Sequence, residues 1–180
     1  MSYSGNINDF HLDKFYDVIF SSNVLEHIES QEEYLMLFNK ILNKKGLQIH
    51  IMPTHYWKFW NSLFYYYSLS KLIFRLVFKI KVQKKSNKNY KRDVNSGLKQ
   101  SPLFIGRHGS IGSTFDEFFL FNPKNYFKIL NKLDFKFKSF KIPIIYSGHY
   151  FFGKFLPISL RSFLSKFLGY SCHCFIIYKK

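Results

Sequence analysis

A strand, a helix and a second strand follow one another within residues 16–53, and this pattern constrains the fold most strongly. Residues 16–20 (YDVIF) form a short apolar run that favours a buried strand, and residues 21–23 (SSN) supply turn-forming side chains after it. Residues 47–51 alternate apolar and polar side chains up to Pro53, which predicts a second strand. Because parallel strands are joined through a crossover helix, the pattern predicts a parallel pair and an α/β fold.

The helix between these strands has a predicted start and a predicted end. Ser30 and Glu33 form an S-x-x-E capping box, which predicts that the Ser30 hydroxyl accepts a free backbone N–H of the first turn. Gly46 predicts the end of the helix. One helical turn is also predicted over residues 24–28. The apolar side chains of the longer helix share one face: Tyr34, Leu35, Leu37, Phe38, Ile41 and Leu42.

Further regular elements are predicted in the second half of the chain. A helix begins at Asn122-Pro123, a cap followed by a first-turn proline, and continues to Leu133. An edge strand with interleaved lysines is predicted over residues 135–140. A helix over residues 160–168 and a last strand over residues 171–178 follow.

The charge of the chain is large and unevenly placed. The 27 Lys and Arg exceed the 11 Asp and Glu by 16, which favours anionic partners. Seven of the acidic residues lie between Asp9 and Glu33, whereas residues 71–99 hold 10 Lys or Arg and the single acid Asp93. With 47% apolar residues the composition excludes a disordered chain, and 180 residues fit one domain.

The cysteine content and the hydropathy of the chain indicate in which cellular compartment the protein is expected. Cys172 and Cys174 lie two residues apart and no other thiol is present, which excludes a disulfide framework and a Cys-only zinc site. With His173 between them, core packing is predicted and no metal site is assigned. The longest uncharged runs have 12 residues, whereas about 18 are needed to cross a bilayer. The polar start does not resemble a signal peptide, so a cytoplasmic location is predicted, with peripheral membrane contact as an option.

Two segments rich in aromatic and basic residues interrupt the α/β pattern. Residues 54–100 crowd aromatic side chains together, then place Lys71, Arg75 and Lys79 four residues apart, and end in a polar loop over residues 83–100. Residues 143–169 form a second amphipathic insertion. Such helices bind well at an anionic membrane surface. The alternative is that the aromatic side chains cover one side of the sheet in a chain that is rich in lysine throughout.

Several of these pieces together resemble a known family. The pieces occur in the order found in the later part of a class I S-adenosylmethionine-dependent methyltransferase with a type 11-like domain. They are residues 5–10 (GNINDF), residues 16–28 (YDVIFSSNVLEHI), the capped helix and the strand LQIHIMP. The resemblance covers residues 5–53 well and residues 115–142 loosely. It implies a partial Rossmann-like sheet with the later strands only, one partial domain over residues 1–180, and two aromatic and basic helical insertions.

One feature of the family is absent from the sequence. Family members hold the cofactor on a glycine-rich loop after the first strand, and no G-x-G occurs in this chain. Gly106, Gly109 and Gly112 come too late and follow no predicted strand. The chain is therefore expected to be either a fragment of a longer enzyme or a truncated relative. An incomplete sheet would leave an open strand edge, which calls for a partner chain.

The resemblance also implies roles for individual residues. Implied catalytic residues are His27 and Glu26; implied S-adenosylmethionine contacts are Asn6, Ile7, Ser21, Ser22 and Asn23; implied acceptor contacts are His55, Arg107 and His108. Each has an ordinary structural alternative: a hydrogen-bonding histidine, a solvated helix-end charge, or turn residues after a strand.

Two functions from different classes follow from these observations. The first is methyl transfer from S-adenosylmethionine to a small-molecule or lipid-linked acceptor, for which O and N acceptors need a base. The second is a non-catalytic module that binds a membrane surface or a partner protein. Nucleic acid is the weakest candidate partner, because the basic residues cluster in one insertion and no recognition motif accompanies them.

Overall fold

The computed structural model describes residues 15–78, 108, 113–146 and 156–180 and has an α/β fold. The predicted site residues Asn6, Ile7 and Arg107, and the predicted loop over residues 83–100, lie outside the described residues. The described elements are β1 (Tyr16–Ser22), a one-turn 3-10 helix (Leu25–His27), α1 (Gln31–Lys40), β2 (Leu42–Pro53), α2 (His55–Val77), α3 (Asp116–Leu120), α4 (Pro123–Lys132), β3 (Phe137–Ile142), α5 (Ile158–Leu168) and β4 (Cys172–Tyr178).

The four strands form one sheet in the order β1-β2-β4-β3. β1 and β2 are parallel and joined through α1, so the predicted crossover unit is confirmed. β4 lies between β2 and β3 and is antiparallel to both, which makes the sheet mixed and not wholly parallel. β3 lies at one edge of this sheet, as its lysine pattern predicts, and β1 lies at the other.

The junction between α1 and β2 differs from the prediction. Ser30 is the N-cap residue of α1, but its side chain makes no capping hydrogen bond. α1 ends at Lys40, and Gly46 lies inside β2, so its predicted role as a helix stop is wrong. The pairing slips between Tyr16 and Val18, and this irregularity brings two backbones close together. A Cβ on Gly46 would lie 3.0 Å from the backbone oxygen of Tyr16, so the close approach requires glycine.

The structure has a helix in each of the remaining segments where the sequence predicts one. The Asn122 side chain accepts the Lys124 N–H at 3.1 Å, which confirms the predicted start of α4. α2 is 23 residues long and runs through the first predicted insertion, and α5 lies in the second. Among the described helices, none combines the length and the apolar character that crossing a bilayer requires. α3 was not predicted, because its five residues are too few for a periodic pattern.

The two faces of the sheet have different environments. α1 and α4 cover one face, and the buried residues there are Leu25, Leu35, Phe38, Ile41, Tyr126, Leu130, Phe135, Phe175 and Ile177. The pairing register places Val18, Phe20 and Phe140 on the opposite face, where all three are exposed. On this opposite face the edge-strand residues are thus open to solvent, whereas Cys174 of the central strand β4, which pairs with Phe140, is buried.

A buried polar network ties the sheet to α1. The Ser21 Oγ lies 2.7 Å from His50 Nδ1, and His50 Nε2 lies 3.0 Å from Gln48 Oε1. Gln48 in turn donates from Nε2 to the backbone oxygen of Leu35 in α1. Burial lowers the pKa of His50 from 6.5 to about 4, so the imidazole is neutral in the folded protein near pH 7.

We expect His50 to make folding stability depend on pH. The unfolded chain binds a proton at this residue below about pH 6.5, whereas the folded chain does so only below about pH 4. The free energy of unfolding therefore falls by about 3 kcal/mol as the pH drops from 6.5 to 4. Urea unfolding of the wild type and of His50→Gln across this range measures the difference. Equal pH slopes in the two proteins would contradict the assignment.

Candidate functional site

The carboxyl ends of β1 and β2 meet where the predicted site begins. The Asn23 N–H donates to the Ile51 carbonyl at 2.9 Å, and Asn23 has a φ of 53°, which an asparagine tolerates. Ser22 and Asn23 are exposed at this edge. The 3-10 turn follows at once, fixed by the His27 N–H, which donates to the Val24 carbonyl at 3.0 Å. Ligands of open α/β sheets bind beyond the carboxyl ends of the strands.

Three of the predicted site residues come together here, and we call Glu26, His27 and His108 the Glu26 cluster. His27 Nε2 lies 3.9 Å and His108 Nε2 lies 3.8 Å from the same oxygen, Glu26 Oε1. The two imidazole rings have centroids 4.9 Å apart. His27 and His108, which are 81 positions apart in the sequence (108 minus 27), thus lie near the same carboxylate.

Glu26 is the buried centre of this cluster. The residue is only 5% exposed, and neither carboxylate oxygen has a hydrogen-bond partner among the described residues. The imidazole nitrogens at 3.8 and 3.9 Å are beyond hydrogen-bond distance. A buried carboxylate without hydrogen bonds is unfavourable unless a positive charge lies nearby.

A second group of side chains holds His108 in place. The His108 backbone N–H donates to Glu117 in α3, and Glu117 pairs with Lys58 in α2. Both members of this ion pair are fully buried. The ring of Trp57 packs 4.6 Å from the His108 ring, and Phe121 packs edge-on to it. α2 and α3 together therefore fix His108 against the end of β1.

An open cleft of about 400 Å³ lies beside the Glu26 cluster. Its residues are Glu26, Glu29, Ser30, Gln31, Glu32, Glu33, Met52, Leu120, Phe121, Asn125, Tyr126 and Ile129. The lining combines four carboxylates with apolar side chains and is therefore amphipathic. The volume lies within the range of small-molecule sites, about 300–1,000 Å³.

Ser21 and His55 have other neighbours. The Ser21 hydroxyl belongs to the His50 network on the covered face of the sheet. His55 begins α2, its ring lies 4.2 Å from that of Tyr56, and burial lowers its pKa. Neither residue contacts the Glu26 cluster in the described part of the chain, so their predicted ligand contacts remain predictions.

The Cys172–Cys174 segment packs in the sheet as predicted. Cys174 is buried, and the His173 ring is stacked on Phe175 at 4.7 Å. Burial first, and the charge of Glu26 second, raise the pKa of the Cys172 thiol to about 11. The thiol is therefore protonated near neutral pH and is a poor nucleophile.

Sequence reasoning missed the supports of the cluster, which are Trp57, Lys58 and Glu117. Lys58 and Glu117 are 59 positions apart, and no local spacing rule connects them. One signal was present: Lys58 stands alone among aromatic residues, and Glu117 is one of the few acids in the second half of the chain.

Comparisons with known proteins find similarity to solved structures only. No protein-family profile matches the chain, and no curated protein matches it. The plantazolicin methyltransferase BpumL, in complex with a pentazolic desmethylPZN analog and SAH, is 13% identical over 98% of the chain with a TM-score of 0.42. PKMT2 from Rickettsia typhi is 15% identical over 97% of the chain with a TM-score of 0.39. The chain spans 57% of the first structure and 37% of the second. Any activity of this chain therefore has to be inferred from its own residues.

We expect the Lys58–Glu117 pair to be essential for stability. Glu117→Gln removes the carboxylate that pairs with the buried Lys58 and should lower the free energy of unfolding by about 3–5 kcal/mol. The matched control is Glu32→Gln, which breaks the exposed Glu32–Lys132 pair and should cost about 0–1 kcal/mol. Adding Lys58→Met to Glu117→Gln should recover much of the loss, because neither member of this buried pair then carries a charge. Similar small losses in both single variants, measured by urea unfolding, would contradict the expectation.

Proposed function

We propose that this chain takes part in methyl transfer from S-adenosylmethionine, as one part of a larger catalytic unit. The observation that carries the proposal is the Glu26 cluster beside the cleft, at the carboxyl end of β1. Support also comes from the β1–α1–β2 crossover, which contains the residues that resemble the methyltransferase family.

The described residues fit one end of the cofactor. S-adenosylmethionine, when bound, supplies a methyl group activated by a sulfonium. The exposed hydroxyl of Ser22 and amide of Asn23 can hydrogen-bond its amino acid end. We assign these contacts to Ser22 and Asn23 and not to Ser21, because the Ser21 hydroxyl bonds to His50. The chain contains no G-x-G, so the remaining contacts fall to other polypeptide.

His27 is the proposed base for an O or N acceptor. Its side chain is 42% exposed, so an acceptor can reach the imidazole. The Glu26 carboxylate lies 3.9 Å from His27 Nε2, beside the proposed base. His108, on the other side of the same oxygen, would contact the acceptor.

The cleft supports a small amphipathic acceptor. Met52, Phe121 and Ile129 offer an apolar wall, and Glu29 and Glu33 offer acceptors for hydroxyl or amino groups. An amphipathic acceptor agrees with the small-molecule or lipid-linked acceptor expected from the sequence.

Exposed apolar side chains on two helices favour membrane contact. α5 exposes Ile158, Phe163 and Phe167 and contains basic but no acidic residues. The second half of α2 exposes Ile73, Phe74 and Val77, and the whole helix lacks acidic residues. Apolar side chains among basic ones bind an anionic lipid surface. Membrane-surface binding without catalysis is therefore the second candidate function.

The open sheet face supports a further polypeptide partner. β1 is an edge strand, and its Val18 and Phe20 are exposed. We propose that strand-forming polypeptide carrying the rest of the cofactor site pairs along β1 and covers these side chains. Exposed apolar edges otherwise promote aggregation.

We expect S-adenosylmethionine to bind the chain saturably but weakly, with a dissociation constant of about 0.1–1 mM in calorimetric titration, because this chain supplies only part of the proposed cofactor site. Ser22→Tyr fills the proposed amino acid subsite and should weaken binding at least tenfold. Ser68→Tyr makes the same exchange on the exposed side of α2 and should leave binding unchanged. Absence of heat up to millimolar S-adenosylmethionine and S-adenosylhomocysteine in the folded chain would overturn the methyl-transfer proposal.

We expect the chain to sediment with vesicles that contain phosphatidylserine. Phe163→Ser with Phe167→Ser should weaken the association at least tenfold, because burying each phenyl ring contributes about 1.5–3 kcal/mol. Phe15→Ser with Phe119→Ser removes two exposed rings outside α2 and α5 and should have little effect. Equal losses in the two double variants would argue against a specific membrane face.

A further inference from the structure

We propose that Glu26, His27 and His108 bind one divalent transition-metal ion. Each residue offers one ligand atom, and the three atoms lie within 4.8 Å of one another. Two imidazole nitrogens and one carboxylate oxygen form a donor set typical of zinc and its neighbours, whereas magnesium and calcium prefer oxygen ligands alone.

The distances suit a metal better than they suit hydrogen bonds. The ligand atoms of a tetrahedral zinc ion lie about 3.4 Å apart, given bond lengths of about 2.0–2.1 Å. Both imidazole nitrogens lie 3.8–3.9 Å from Glu26 Oε1, about half an ångström more than this. The His27 side chain is partly exposed, so its ring can move by this amount without disturbing the core.

The buried charges of the described residues do not balance. Glu26, Lys58 and Glu117 are the buried Asp, Glu, Lys or Arg residues among them. Lys58 pairs with Glu117, which leaves the negative charge of Glu26 uncompensated. Both Glu26 oxygens also lack a hydrogen-bond partner among the described residues. A bound cation would neutralise this charge and supply the missing partner.

The surroundings of the cluster support the same conclusion. The neighbouring cleft carries Glu29, Glu32 and Glu33, so its negative potential attracts cations in a protein whose net charge is +16. His108 is held through its backbone by Glu117 and through its ring by Trp57. Such outer contacts orient a metal ligand before the ion arrives.

The metal would have a role in the proposed methyl transfer. Three protein ligands would leave a position open on the ion, and an acceptor oxygen bound there would lose its proton to solvent water more readily. His27 would then act as a ligand, and the metal would replace it in promoting proton loss. This role depends on the proposed function, but metal binding itself does not.

The experiment is a titration of the untagged, chelator-treated chain with Co²⁺ and then Zn²⁺. One equivalent of Co²⁺ should give visible absorption from imidazole and carboxylate ligation, and Zn²⁺ should displace it. Glu26→Gln, His27→Gln and His108→Gln should each weaken Zn²⁺ binding at least tenfold. Zn²⁺ should raise the unfolding temperature of the wild type and not that of these variants.

Matched controls identify the ligands. His55→Gln and Glu29→Gln replace the same residue types outside the cluster, and both should keep wild-type affinity, as should Cys172→Ser with Cys174→Ser. The proposal is overturned by affinity that survives in all three cluster variants, or that is lost with the cysteines. Displacement of Co²⁺ by millimolar Mg²⁺ would also overturn the transition-metal assignment.

The two proposals fail in different ways. If Zn²⁺ binding depends on the cluster and S-adenosylmethionine does not bind, the metal-site proposal stands and the methyl-transfer proposal is rejected. If S-adenosylmethionine binds and Zn²⁺ does not, the methyl-transfer proposal stands and the metal-site proposal is rejected.

Discussion

The structure depends on β2 pairing with a strand on each side. Its parallel pairing with β1 aligns the carboxyl ends of the two strands, and its antiparallel pairing with β4 extends the sheet. At the end of β2 the Thr54 N–H donates to the Ser171 carbonyl, and α2 starts at the next residue. The chain thus leaves the sheet at a fixed point, and Trp57 and Lys58 follow within the first turn of α2.

The candidate site contains two buried carboxylates, Glu26 and Glu117, that have different partners. Lys58 and Glu117 neutralise each other in the interior, and Glu117 also accepts the backbone N–H of His108. Glu26 Oε1 lies 3.8–3.9 Å from two imidazole nitrogens. A paired charge stabilises the local structure, whereas the Glu26 oxygens, which have no hydrogen-bond partner among the described residues, are available to bind a cation or a polar ligand. The stability of the site and its chemistry therefore come from different carboxylates.

The sequence predicted most of the elements because their patterns are local. The β1 run, the Asn122-Pro123 start of α4 and the alternation of β2 each lie within a few residues, and all three elements are present. Gly46 was misread because a helix stop and a close approach of two strands use the same residue type. Only the pairing partner, Tyr16, distinguishes the two, and that contact links residues 30 positions apart (46 minus 16).

The sequence by itself determined the α/β crossover, the polar residues after β1 and the amphipathic character of α2 and α5, because periodicity and capping act over short distances. It also placed Glu26 and His27 side by side. Only the tertiary structure decided that His108 joins them, that Lys58 neutralises Glu117 and that Ser21 turns toward His50. The physical reason is that burial and the pairing of charges depend on which distant segments fold against each other, and no spacing along the chain records that.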